Sequence, residues 1–280
     1  MAANGGAQSR PDGGGVLGMR NELLLAAALT ASIGMATTVS GQSSVSSLPP
    51  PYLPQAALPE SLKLDPPPPA RGSIDEKRDI AAQKAAIKLQ GTPRFALAAR
   101  DADLTSAQAT GAFSCAAGMT ISASTTPKID TLMRRLIRDY GLASAPTKLK
   151  YGRKRPFVIN GKPTCTPKSE AELAANGSYT SGHAGIGWGW GLVLAEVFPD
   201  QAAEVVARGR AFADSRRVCN VHWLSDTEQG QVVASAVFAR LHAEPAFRAD
   251  VDAAREEAKA LAGKFAPTGC DAEAAALALK

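Results

Sequence analysis

Lys148 and Arg155-Pro156, spaced as Lys-x6-Arg-Pro, open a series of three blocks whose residue types could do chemistry. Ser181-Gly182-His183 forms the second block, and Ser215-Arg216-x5-His222-x3-Asp226 the third. Together they hold three cations, a hydroxyl, a small-residue turn, two imidazoles and a carboxylate. Those are the parts needed to bind a tetrahedral phosphate and displace its ester. No other region concentrates reactive side chains in this way.

Each block asks for a particular placement. Ser181-Gly182 sits in a loop-like stretch just before an apolar run, so the Gly182 amide falls at a predicted helix amino terminus, where unpaired N–H groups favour an anion. Glycine there lets backbone approach a ligand closely. Ser181 adds a hydroxyl donor or caps the helix; taken alone, the capping role is the commoner one. His222 and Asp226, four apart at a predicted helix start, should share one face. Asp226 then accepts from one ring nitrogen of His222, leaving the other free to attack. A His–Asp pair at this spacing is by itself usually a helix-face contact, but Arg216, six residues earlier, supplies a planar fork for phosphate oxygens. In the first block Pro156 disfavours helix at Arg155, so an extended stretch is expected to project Lys148 and Arg155 into one pocket. Lys150, Arg153 and Lys154 read as a solvated face.

The elements that must position these groups are helical. Apolar residues recur at helical spacing over 74–89 and 129–140, and further amphipathic helices are expected over 201–214, 222–242 and 248–264. Residues 184–198, almost uncharged and closed by Pro199, should be buried on all sides. Gly185, Gly187, Gly189 and Gly191 each cost about 1 kcal/mol of helix propensity relative to Ala, and close helix–helix contact is the compensation expected. Alternating strand patterns are scarce. The expected fold is all-α, one compact multi-helix bundle over 73–265. It is preceded by a Pro/Ser-rich extended segment over 42–72 that wraps the surface or stays mobile, and followed by a tail over 266–280.

Residues 1–41 read as an export signal with an upstream extension: Met19-Arg20 precedes an apolar run over 23–33 that is too short to span a bilayer. Export places Cys115, Cys165, Cys219 and Cys270 in an oxidising space, periplasmic or secreted, where an even count favours two disulfides. Of three connectivities, Cys165–Cys219 and Cys115–Cys270 are favoured: the first pair flanks the chemical blocks and the second lies nearer the domain ends. The net charge of +5 comes from scattered Lys and Arg without a long basic stripe, which argues for anionic small substrates and against nucleic acid.

The three ordered blocks make the chain resemble the bacterial class A non-specific acid phosphatases, members of the type 2 phosphatidic acid phosphatase superfamily. The resemblance covers roughly 58–254 and includes the 64–73 proline segment, Asp101-Ala102-Asp103-Leu104 and Gly177-Ser178-Tyr179. Thr180 stands where that family usually has Pro, which implies an altered turn with activity retained. The resemblance implies the all-α fold shared with vanadium haloperoxidases and an acid phosphatase working on nucleotides, sugar phosphates or aryl phosphates. It implies His222 as nucleophile through a phosphohistidine, His183 as the acid and base at the leaving group, and Asp226 orienting His222. Lys148, Arg155, Ser181, Gly182 and Arg216 would bind the phosphoryl oxygens, with no metal and no cofactor required. By analogy with the family, a homodimer is expected. The competing reading is a vanadium-dependent haloperoxidase using the same cradle; a lipid-phosphate phosphatase would need several membrane-spanning helices. His242 matches no motif position and reads as a surface residue.

Overall fold

Proline and glycine punctuation sets the helix limits in this chain, and the computed structural model, which describes residues 48–279, follows it closely. Pro sits in the first turn of five of the longer or site-bearing helices, where a missing N–H costs nothing. In chain order come α1 (Ser61–Leu64), α2 (Ile74–Ile87), α3 (Pro93–Asp101), α4 (Ser114–Ala117), α5 (Pro127–Ala143), α6 (Ala145–Tyr151) and α7 (Pro156–Asn160). They are followed by α8 (Glu170–Ala174), α9 (Gly182–Val197), α10 (Ala202–Val218), α11 (Leu224–Leu241), α12 (Pro245–Ala260) and α13 (Cys270–Ala278). Among the described residues there is no strand, so the fold is all-α.

Helix α9 is the axis, packed by α5, α10, α11 and α12. Its glycines explain how so many neighbours come this close. A Cβ on Gly191 would lie 2.9 Å from Val205 O of α10, and one on Gly185 would lie 3.0 Å from Gly230 O of α11. Gly189 is filled by the Tyr140 ring of α5, and Gly187 by the Phe212 ring of α10. The helix propensity lost at four glycines is thus exchanged for backbone-to-ring and backbone-to-backbone packing. Trp190, fully buried, donates its indole N–H to Met133 O at 2.7 Å, so the largest core side chain leaves no polar atom orphaned.

Two expectations about the ends need correction. The proline-rich segment, where it is described from residue 48 onward, is neither loose nor merely superficial. Tyr52 and Leu53 are buried, their amides donate to the Asp139 carboxylate at 3.1 and 2.8 Å, and the segment contains α1. Apolar anchors spaced between the prolines supply the burial that composition alone hides. The segment over 266–280 carries α13, which packs on α3 and is tied down by the Cys115–Cys270 disulfide. The second disulfide joins Cys165 and Cys219, so all four cysteines are paired as favoured. The export signal expected over 1–41 lies outside the described residues. No helix among the described residues is long and apolar enough to cross a membrane.

Candidate active site

Arg216 projects from the last turn of α10 into the interior, almost entirely buried, and its Nε and Nη1 have no hydrogen-bond partner among the described residues. A buried guanidinium with two unanswered donors is costly unless an anion receives them. Two more cations share the space. Arg155 is extended (φ −75°, ψ 153°) and immediately precedes Pro156, as expected, and its guanidinium is held by Leu173 O at 2.7 Å and Val221 O at 2.9 Å. Lys148, in contrast, is not on an extended stretch: α6 carries it, because Pro146 fits the first helical turn and Gly152 closes the helix in a left-handed conformation. Its Nζ donates to Gly177 O and Ser178 O at 3.2 and 3.3 Å. Burial first, and then Arg155, lowers the Lys148 ammonium to about 7. Burial and Arg155 likewise lower Arg216. A phosphate dianion among these groups relieves both penalties.

His222 and Asp226 meet, but by a different geometry from the shared helix face predicted. His222 lies just before α11, and Asp226 is its third residue. The Asp226 Oδ2 accepts the Trp223 amide at 2.9 Å and the His222 Nδ1–H at 3.3 Å, so one oxygen caps the helix and orients the ring together. The tautomer follows from the partner at the other nitrogen. Arg155 Nη1 lies 3.0 Å from His222 Nε2, and a guanidinium can only donate, so Nε2 carries the lone pair. Burial first, then Arg155, Lys148 and Arg216, hold the His222 imidazole well below its ordinary range and therefore neutral.

His183, the second residue of α9, has its Nε2 2.7 Å from the main-chain oxygen of Asp101. A carbonyl only accepts, so Nε2 keeps its proton and Nδ1 is the atom that titrates. Its ring stacks on Phe212, 5.6 Å between centroids. Burial, then Arg216, pushes it well below the ordinary imidazole value. His183 also lowers His222 electrostatically.

Ser181 does cap α9: its Oγ accepts from the Ala184 amide at 3.2 Å, and its own amide donates to Asp226 O at 3.0 Å. The hydroxyl proton is still available to a ligand. Gly182 has a packing reason beyond ligand approach, since a Cβ there would lie 2.6 Å from Ser144 Oγ. Thr180 uses its hydroxyl, 3.0 Å from Thr147 Oγ1 on α6, to join the turn to the helix that carries Lys148.

Arg153 was misread as a solvated charge. It bridges Asp226 Oδ1 and Asp79 Oδ2, each at 2.6 Å, and donates to Ser225 Oγ at 2.8 Å. Burial pushes the Asp226 carboxyl up, and Arg153 with the Trp223 amide pulls it back. Nothing in the charge run 148–155 distinguishes Arg153 from exposed Lys150 and Lys154; only its partner Asp79, far off on α2, does so. The Asp101 carbonyl was missed too, because a main-chain oxygen has no side-chain signature. His242 is not merely at the surface: its ring nitrogens face two acceptors, Nδ1 at 2.8 Å from Phe238 O and Nε2 at 2.9 Å from Glu196 Oε1.

The profile of the PAP2 superfamily matches residues 136–247, a span containing all three blocks. The chain is 41% identical over 191 residues to the acid phosphatase of Zymomonas mobilis, covering 68% of this chain and 72% of that one. It is 40% identical over 207 residues to the non-specific acid phosphatase of Providencia stuartii, covering 74% and 84%. With the non-specific acid phosphatase of Salmonella typhimurium the identity is 38% over 193 residues, covering 69% and 77%.

Proposed function

The chain belongs to the PAP2 superfamily and is a phosphomonoesterase of the acid phosphatase kind, and from that membership we propose that it cleaves phosphate monoesters through a phosphohistidine formed on His222. The observation that carries this reading is the pair of orphaned donors on buried Arg216, together with the Arg155 guanidinium 3.0 Å from the lone pair of His222 Nε2. Arg216, Arg155 and Lys148 receive the phosphoryl oxygens, assisted by the Ser181 hydroxyl and the Gly182 amide.

In the first half-reaction His222 Nε2 attacks phosphorus and the P–O ester bond breaks, while His183 Nδ1–H gives its proton to the leaving oxygen. Asp226 stabilises the positive imidazole so formed. In the second half, neutral His183 Nδ1 takes a proton from water as that water attacks phosphorus; the N–P bond breaks and phosphate leaves. Three cations supply the charge compensation that a metal gives other phosphoryl-transfer enzymes, so the scheme runs without metal or cofactor. Because burial and Arg216 lower His183, its acid form is populated only at acidic pH, which favours an acid optimum. A broad range of leaving groups (nucleoside, sugar or aryl) fits a cradle whose named contacts all go to the phosphoryl group. Two disulfides, among cysteines that are all paired, support an oxidising location, periplasmic or secreted.

The test is hydrolysis of an aryl phosphate at about pH 5–6, just below the usual imidazole pKa, with excess chelator present. Wild type keeps its rate, and His222→Ala loses at least about a thousandfold in kcat. Retention of the rate in His222→Ala would reject the nucleophile, and loss on chelation would reject the metal-free scheme.

A further inference from the structure

Three of the buried charged groups that this reaction scheme leaves unused, Asp101, Arg208 and Arg94, fall together behind His183. Asp101, fully buried, ends α3, and its carboxylate is gripped by both arms of Arg208: Nη1 donates to Oδ2 at 3.1 Å and Nη2 to Oδ1 at 2.5 Å. Ser215 Oγ, from the residue before Arg216, donates to Asp101 Oδ2 at 2.6 Å and accepts from Arg94 Nη1 at 2.9 Å. Arg208 Nε turns outward to Glu273 Oε1 of α13, 3.0 Å away. Arg208 also lies over the Phe212 ring, 5.7 Å from its centroid, and Phe212 is the ring on which His183 stacks.

Asp101 has a second use. Its main-chain oxygen, one of the last carbonyls of α3 and so without a helical partner, takes the His183 Nε2–H. The residue whose carbonyl sets the His183 ring is therefore the residue whose side chain is locked from behind. We propose that Asp101, Arg208 and Glu273 form a positioning assembly that fixes the Asp101 carbonyl and thereby aims His183 Nδ1 at the leaving oxygen. The C-terminal helix α13 then belongs to the machinery that donates the proton, although it carries no motif residue. Burial acts to lower Arg208, yet Asp101 and Glu273 outweigh it, as a permanently charged centre of such an assembly requires. The inference rests on His183 being the acid at the leaving group.

Leaving-group dependence separates aim from mere stability. An alkoxide needs the proton as the ester bond breaks, whereas 4-nitrophenolate leaves without it. The experiment compares kcat/KM for glycerol 2-phosphate and 4-nitrophenyl phosphate in wild type, His183→Ala, Arg208→Lys and Glu273→Gln. Competitive inhibition by inorganic phosphate reports the cradle. His183→Ala is expected to lose about 10²–10⁴-fold on the alkyl ester and far less on the aryl ester. Arg208→Lys should show the same selectivity at about 10–100-fold and Glu273→Gln at about 3–10-fold, with phosphate inhibition unchanged in Glu273→Gln. Glu273 lies at the outer end of the assembly, so its variant remains informative if Arg208→Lys fails to fold. If His183→Ala slows both esters equally, the assignment of His183 as the acid is wrong. If His183→Ala is selective but Glu273→Gln slows both esters equally or neither, the positioning assembly is overturned.

Discussion

Around His222 three effects compete, and their sizes decide the chemistry. Burial and three neighbouring cations keep its imidazole neutral, while Asp226 holds the Nδ1 proton, so the nucleophilic lone pair is at Nε2. Lys148 has the opposite dependence on acidity. With its folded value near 7, it is cationic below that pH and loses its charge above it. The sign is therefore fixed: affinity for inorganic phosphate falls as free enzyme loses the Lys148 proton above about pH 7, after turnover has already fallen with the acid form of His183. Lys148→Arg keeps a cation at higher pH and should move the loss of phosphate affinity upward by one or more pH units, about 1.4 kcal/mol per unit. The pH dependence of competitive inhibition by inorganic phosphate checks this; an unmoved midpoint would assign that ionisation to another group. At this scale the site was legible wherever spacing is local. His222 and Asp226, or Arg155 and Pro156, declare themselves within a few residues. Arg153 did not, because its meaning comes from Asp79 on α2 and from the Asp226 oxygen it fills.

Helix α9 shows what an element must do to place a reacting group. Gly187 is one turn beyond His183 on the same face, and the space it leaves is filled by Phe212, which in turn supports the His183 ring. A Cβ at Gly187 would lie 2.1 Å from Phe212 Cδ1, well inside contact distance. Gly187→Ala gains helix propensity of about 1 kcal/mol but overpacks a rigid core, at a cost of about 1–3 kcal/mol. The expected net result is a lower Tm together with a loss of kcat/KM that is larger for alkyl than for aryl phosphates. Thermal denaturation and the two assays check it; a raised Tm with unchanged kinetics would show that α10 gives way freely. That the glycine run would be a buried helix in close contact followed from its apolar composition and the closing Pro199. Which ring fills which gap did not, since Tyr140 and Phe212 reach α9 from helices whose angles no local pattern fixes. Lys148 illustrates the same limit: the turn signals Pro146 and Gly152 bracket a short helix that the basic run obscured.

At the scale of the whole fold, both ends of the described residues are fastened to the core by long-range links. Cys115–Cys270 closes a loop of sequence separation 155 and ties down α13, whose Glu273 reaches Arg208. Replacing both cysteines by alanine should cost about 2–4 kcal/mol and lower Tm by about 5–15 °C. Calorimetry of the oxidised wild type and the double variant checks this; equal midpoints would mean that α13 docks without help from the crosslink. The helical domain could be read from periodicity, but the segment after residue 265 could not, because alanine-rich helix and solvated tail have similar composition. The central claim remains the covalent step, and one measurement addresses it most directly. Enzyme mixed with phosphate-labelled aryl ester, quenched in alkali within the first turnover, should carry label as phosphohistidine, stable to base and released by acid. Peptide mapping should place that label on His222, and His222→Ala should carry none. Label on another residue, or a wild-type enzyme that turns over without ever becoming labelled, would contradict the account.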